Sequence, residues 1–221
     1  MLGLQRTARR GPHGGDDPFP ALARDRLRFV REDRIGGRLG AACTNKAAEG
    51  LKVESETAAI NADRLALTQM LFVEGNHVCP SCEKSGNCQL QAVAYHLGML
   101  TPHFTHFYPA RDVDASHPDG LLERNRCILC ELCVRASRDV DGKNVFGIGG
   151  RGIKARLIVN SASGRLADTN LSVTDRAAEV CPTGAIIRKR HGFTIPIGKR
   201  LYDHHDIAEV PVAGIERPKR D

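Results

Sequence analysis

Along this chain, apolar positions are first scarce and irregular, then fall into short periodic stretches. Residues 1–40 are rich in Arg, Gly, Pro and Asp, contain no Lys, and sustain no helical or strand period. From Asn61 to Phe72 the spacing predicts a helix, with Leu65, Leu67, Met70 and Leu71 as an imperfect apolar stripe. A loop carrying Pro80, Ser85 and Gly86 follows. A second helix is predicted to start at Cys88, with Leu90, Val93, Ala94 and Leu97 on one face. Farther on, Asn144-Val-Phe-Gly-Ile and Arg156-Leu-Ile-Val-Asn predict a hairpin around Gly149-Gly150. The glycine-rich Gly147-Ile-Gly-Gly-Arg-Gly lies between these strands rather than ahead of a helix, so it reads as a turn and not as a nucleotide-binding loop. Thr174 is placed to cap a short helix that runs through Val180 and is ended by Pro182. Ala185-Ile186-Ile187 then starts a strand. The segment 201–221, with Pro211, Pro218 and mixed charge, is expected to be poorly ordered. The pattern is α+β.

Composition narrows the class. A chain of 221 residues has room for one or two compact domains. Aromatic content is low and Trp is absent, as suits small domains in which bound metal supplies folding free energy. No apolar run approaches the ~20 residues of a membrane span. Arg9-Arg10 is followed by Gly-Pro-His-Gly-Gly-Asp-Asp where an export signal needs an apolar stretch, so the cytoplasm is the expected location. The net charge of +6 is mild; arginine crowds the first forty residues, and Arg188-Lys189-Arg190 with Lys199-Arg200 forms a second basic stretch. Neither stretch is interleaved with aromatics, which favours a solvated or partner-docking surface over nucleic-acid binding.

Cysteine decides the chemistry. Seven of the eight cysteines fall into two ligand-like sets. Cys127, Cys130 and Cys133 are spaced three apart in Cys-Ile-Leu-Cys-Glu-Leu-Cys, and Cys181 follows in Val-Cys-Pro-Thr-Gly. C-x-x-C-x-x-C with a distant Cys-Pro is the ligand pattern of a cubane [4Fe–4S] cluster, and with only one such run all four should serve one cluster. Pro182 lacks an amide donor and fixes its own dihedral, which turns the chain away from the site. A four-cysteine zinc site is the competing reading, although zinc favours two C-x-x-C pairs. A disulfide framework fits short secreted chains better than this one.

The first set is Cys79, Cys82 and Cys88, one ligand short of a cubane, with His77 two residues upstream in Gly-Asn-His-Val-Cys-Pro-Ser-Cys. In extended backbone, residues two apart share a face, so His77 and Cys79 can address one [4Fe–4S] cluster. A neutral imidazole in place of a thiolate would make that cluster easier to reduce. The plainer alternative is a hydrogen-bonded loop histidine. His96 reads as helix surface; His103, His106, His204 and His205 have no ligand spacing.

The run Phe-Val-Glu-Gly-Asn-His-Val-Cys-Pro-Ser-Cys-Glu-Lys-Ser-Gly-Asn-Cys-Gln-Leu-Gln, then Cys-Ile-Leu-Cys-Glu-Leu-Cys, Cys-Pro-Thr-Gly and Pro196-Ile-Gly-Lys-Arg-Leu-Tyr, resembles one family from about residue 41 to 205. That family is the small iron–sulfur (U, or gamma) subunit of the diaphorase module in Hox-type NAD-reducing nickel–iron hydrogenases. It is related to the N-terminal part of the large iron–sulfur subunit of complex I. The resemblance implies an electron relay with no catalytic residue of its own. Its partners would be a flavin/NAD-binding diaphorase subunit and the nickel–iron small and large subunits, with no nucleic acid. An accessory subunit of a complex I-like or formate dehydrogenase enzyme is the alternative, and a redox-inactive zinc adaptor a third. Complex I relatives place three residues between the histidine and the first cysteine; this chain has one.

The resemblance also implies a division of the chain. Residues 1–60 would be a β-grasp [2Fe–2S] region, 61–110 a helical [4Fe–4S] domain with one His and three Cys ligands, 111–200 a ferredoxin-like [4Fe–4S] domain with four Cys, and 201–221 a tail. In the first region only Cys43, in Ala41-Ala42-Cys43-Thr44, matches a ligand position, and one thiolate cannot hold a [2Fe–2S] cluster. The region is therefore expected to be degenerate or truncated, or else to be a mis-framed stretch joined to the true frame near Gly36–Ala42.

Overall fold

A computed structural model describes residues 32–41 and 45–210. The first described element was not anticipated. Strands β1 (Glu32–Ile35) and β2 (Arg38–Ala41) pair antiparallel with Ile35 opposite Arg38, leaving a two-residue turn at Gly36 and Gly37. Both glycines have positive φ, +56° and +83°, which is the mirror-image turn whose twist matches a hairpin. Strand β3 (Val53–Glu54) adds to the far side of β1, giving the order β2-β1-β3. Cys43, the residues before Glu32, and with them the expectation of a degenerate or mis-framed start, lie outside the described residues.

Helix α1 (Ala58–Glu74) is longer than the sequence pattern suggested, because Thr57 caps it: its hydroxyl accepts from the Ile60 amide at 3.2 Å. The inward face is also different. Ile60, Arg64, Thr68, Gln69 and Val73 are buried, while Met70 of the expected stripe is 45% exposed. Polar residues can occupy that face because each finds a partner. Arg64 donates to Ser55 O, the Thr68 hydroxyl to Arg64 O, and Gln69 to Thr101 O. Helix α2 (Gln89–His96) begins one residue after Cys88 and buries Leu90, Gln91, Ala92 and Ala94, with Val93 and Leu97 half-buried. His96 is surface, as expected, and pairs with Asp206 at 2.9 Å.

The second half is built on two small sheets. Strands β4 (Val113–Asp114), β5 (Gly120–Glu123) and β8 (Ile186–Arg188) form one, in that order. The expected hairpin is the other: β6 (Phe146–Gly149) pairs antiparallel with β7 (Arg156–Val159). The glycine-rich run is only partly a turn: Gly147 to Gly149 belong to β6, and Gly150 to Gly152 lead into a short 3-10 turn, Gly152–Lys154, before β7. Gly150, at φ +78°, must be glycine, because a Cβ there would lie 2.3 Å from Lys154 O. A continuous core joins Leu122, Phe146, Leu157, Leu166, Ala177 and Ile186 to helix α3 (Leu132–Arg135) and to helix α4 (Arg176–Glu179).

Two expectations need correction. Thr174 does not cap α4; its hydroxyl pairs with Ser172. The cap comes from Asp141, a distant carboxylate that accepts from the Arg176 and Ala177 amides, each at 3.0 Å. Likewise residues 201–210 are not a loose tail, for they are tied to the loop before α2. Tyr202 N donates to Gly86 O at 2.9 Å, Leu201 N to Asn87 Oδ1 at 2.9 Å, and Arg200 Nη1 to Ser85 O at 3.1 Å. Residues 211–221 lie outside the described residues. The basic run near β8 is a solvated surface, with Arg188 and Arg190 exposed, and its charges are locally paired. Arg188 pairs with Glu179, Arg190 with Asp119, and Lys189 donates to Ala115 O and His117 O.

Candidate metal centres

The first set sits on the connection between α1 and α2. Cys79 opens a 3-10 turn, Cys79–Ser81, admitted by Pro80 at its second position, and the Cys82 amide closes it on Cys79 O at 3.2 Å. Cys88 occupies the N-cap of α2 without a side-chain capping hydrogen bond, close enough to the Leu90 and Gln91 amides for them to favour its thiolate. Gln91 holds the loop from within, its side-chain oxygen accepting from Gly86 N at 2.8 Å. Cys82 lies close enough to Cys79 and Cys88, and Cys79 to Cys88, to oppose the ionisation of those two thiols. Burial, the larger cause, pushes Cys88 up to about 11 and raises Cys79 as well.

His77 lies in the same loop. Its imidazole packs against Phe72, ring centroids 5.4 Å apart, and against the bare face of Gly75, where a Cβ would come within 2.6 Å of Nε2. Burial, reinforced by the charges of Arg111, His106 and Arg126, lowers its pKa to about 4, so the ring is neutral. Nε2 is buried without a hydrogen-bond partner. A neutral imidazole with an unused nitrogen is in the state that metal ligation requires. The hydrogen-bonded loop histidine considered as the alternative does not describe this nitrogen.

The second set surrounds one pocket. Cys127, Cys130, Cys133 and Cys181 line it together with Ile128, Leu129, Ile148, Leu157 and Ile186. Backbone amides of Leu129, Leu132 and Val134 point at the first three sulfurs, and Ala185 N donates to Cys181 Sγ at 3.1 Å. To curl so tightly the loop holds two non-glycine residues in the left-handed region, Leu129 at φ +54° and Glu131 at φ +60°. Burial first, then the neighbouring thiols, pushes Cys127 up to about 11, Cys130 to about 12 and Cys133 well above its ordinary value. The sulfurs of Cys127, Cys130 and Cys133 thus lie where burial opposes a bare thiolate although nearby amides favour it, which suits a cationic metal–sulfide group.

None of the seven described cysteines is in a disulfide. Among the described residues, no three His, Cys, Asp or Glu side chains converge closely enough to grip a single ion.

The two sets are stitched together. Arg126 Nη1 and Glu83 Oε2 form an ion pair at 2.6 Å, with angles outside hydrogen-bond geometry. Asn76 donates to Asn125 Oδ1 at 2.7 Å and to Pro109 O at 2.9 Å. Arg111 donates to Glu74 O at 3.2 Å and to Cys127 O at 3.3 Å. His106, to which the sequence gave no function, stacks on Tyr108 and contributes to the field at His77. Neither Arg111 nor His106 carried a signal in the sequence, whereas Gly75, directly after an apolar helix, did.

Comparison with known proteins identifies the arrangement. Residues 64–103 match the NADH-ubiquinone oxidoreductase-G iron-sulfur binding region, and residues 121–187 match the 4Fe-4S single cluster domain. The NAD-reducing hydrogenase HoxS subunit gamma of Cupriavidus necator is 38% identical over 83% of this chain and 78% of its own length. The chain belongs to the gamma-subunit family of NAD-reducing hydrogenases. A solved NAD+-reducing [NiFe]-hydrogenase in the H2-reduced state contains a chain 51% identical to this one, with a TM-score of 0.79 over 89% of this chain and 82% of that one. The NADPH-Fe(3+) oxidoreductase subunit alpha of Geobacter sulfurreducens is 28% identical over 69% of this chain but only 18% of its own length. Family membership makes the protein an iron–sulfur, electron-transferring oxidoreductase subunit of mixed helix and sheet. Among the described residues no helix is long and apolar enough to cross a membrane.

Proposed function

We propose that this chain relays electrons between a nickel–iron hydrogenase pair and a flavin/NAD-binding diaphorase subunit in the cytoplasm, using two [4Fe–4S] clusters. His77, Cys79, Cys82 and Cys88 would hold one, within a helical domain at 61–110, and Cys127, Cys130, Cys133 and Cys181 the other, within a ferredoxin-like domain at 111–200. Residues 1–60 would be the remnant of a β-grasp region, in keeping with the small β2-β1-β3 sheet, and 201–221 a C-terminal extension. The observation that carries the reading is the pocket lined by Cys127, Cys130, Cys133 and Cys181, with nearby backbone amides that favour thiolate.

When bound, such clusters take up and release one electron at a time. The residues do the rest. The thiols give up their protons on ligation, which burial otherwise opposes. Leu129, Leu132, Val134 and Ala185 amides stabilise negative charge on sulfur. Ile128, Ile148, Leu157 and Ile186 exclude water. No side chain needs to act as acid, base or nucleophile. Exposed apolar groups near each set, Val78 and Tyr108 near the first and Phe193 and Ile197 near the second, supply contact area for the partner subunits.

Iron and acid-labile sulfide on anaerobically purified protein, with EPR of the reduced sample, test the proposal. About eight of each per chain, with cubane signals alone, support it. About ten iron with a [2Fe–2S] signal would mean that a third cluster is held. Zinc without sulfide would overturn the relay.

A further inference from the structure

Three arginines, Arg124 buried and Arg111 and Arg126 half-buried, lie between the two cysteine sets, and one differs from the others. Arg124 pairs with Asp112 at 2.8 Å and Arg126 with Glu83 at 2.6 Å, so each of those charges is neutralised. Arg111, with its side chain 15% exposed, is held by carbonyls. Nη1 donates to Arg124 O at 3.4 Å and to Cys127 O at 3.3 Å, and Nη2 donates to Glu74 O at 3.2 Å. Its carboxylate contact, Glu74 Oε1, is at 4.0 Å, the outer limit of an ion pair and well beyond the 2.6–2.8 Å of the other two pairs. The guanidinium therefore bridges the backbone three residues before His77 to the backbone of Cys127 while keeping most of its positive charge.

We infer that Arg111 is a positioning residue common to both metal centres, clamping their loops together and placing one uncompensated positive charge that favours reduction of both. The inference rests on the two-cluster reading above. Reduction adds one electron to a centre without requiring a proton, so a fixed cation nearby stabilises the reduced form, and burial keeps water from screening it. For a charge ~10 Å away at an effective dielectric near 20, the effect on a reduction equilibrium is roughly tenfold, or about 59 mV for a one-electron couple.

The test is an EPR-monitored redox titration of the full-length chain, with iron and sulfide measured on the same samples. Arg111→Gln should lower both midpoint potentials, each by about tenfold in the reduction equilibrium, at unchanged iron and sulfide. Arg111→Lys keeps the charge but not the fork, and should leave both potentials near the parent values. If neither potential moves in Arg111→Gln, or only one does, the inference falls. If Arg111→Gln loses iron, Arg111→Lys decides: loaded centres at parental potentials support the inference, while displaced potentials or lost iron overturn it. Failure of the parent chain to hold two cubanes would instead sink the two-cluster reading, and shows in the parent's iron count alone.

Discussion

The amide of Gln89 donates to the carbonyl of Pro182 at 3.0 Å, so the residue after Cys88 is bonded to the residue after Cys181. With the Glu83–Arg126 ion pair, this makes the two ligand loops neighbours in space although they are far apart in sequence. Because metal binding is a large part of the folding free energy of such loops, stripping it should loosen both together. Hydrogen exchange before and after chelation should show protection lost in step over residues 77–89 and 126–134 and much of the structure between 75 and 190. A region of the two that stays protected after complete iron loss would contradict this coupling.

Gly75→Ala should disturb the first set selectively. The new methyl would sit 2.6 Å from both Asn125 O and His77 Nε2, so either the loop or the imidazole must move. Overpacking of this kind costs about 1–3 kcal/mol. The expected result is a lowered thermal midpoint and an altered EPR signal for the first centre, with the second unchanged.

Asp141→Ala should destabilise by about 0.5–2 kcal/mol, as loss of a helix cap does, and Thr174→Ala by no more than about 0.5 kcal/mol. Asp141 receives two amides at the start of α4, whereas the exposed Thr174 side chain only pairs with Ser172. Urea midpoints of the two variants give the comparison; equal losses would refute the assignment of the cap.

Asp114 offers a pH test. Burial alone would raise its pKa, but hydrogen bonds from Ser116 and from the Leu166 amide, with the charge of Arg124, hold it below the usual carboxylate value of 3.8. A carboxyl depressed on folding stabilises the folded state above its unfolded pKa, and that contribution is lost as pH falls through the folded value. Asp114→Asn should therefore be less stable than the parent by a gap that stays constant between about pH 8 and 5. A gap that shrinks within that range, read from urea midpoints, would rule out the depressed carboxylate as its source.

How much of this was legible in the sequence varies with the physical cause. The Cys127–Cys130–Cys133 run and Cys-Pro at 181 declare themselves because ligand spacing is a local property. So does the β6–β7 hairpin, whose glycines mark the turn. The β1–β2 hairpin has one local mark, Gly36-Gly37, but the strands around it lack the alternation that would declare them. The inward face of α1 was not legible: Arg64, Thr68 and Gln69 are buried only because Ser55, Thr101 and a backbone carbonyl of α1 itself receive them. Asp141 capping α4 and Arg111 spanning the two loops depend on contacts between distant segments, which no local pattern encodes.

The strap at residues 200–206 closes on the loop that carries Cys79 to Cys88, bonding Ser85, Gly86 and Asn87. Those partners are made more than a hundred residues apart, so a ribosome working at about 5–20 residues per second needs several seconds to supply the second after the first. During that interval the first-made cysteines have no closing segment over them. The order of synthesis thus runs opposite to the order of enclosure: the centre whose ligands emerge first is sealed last, and its thiols stay open to metal delivery, and to oxygen, until residues 200–206 arrive.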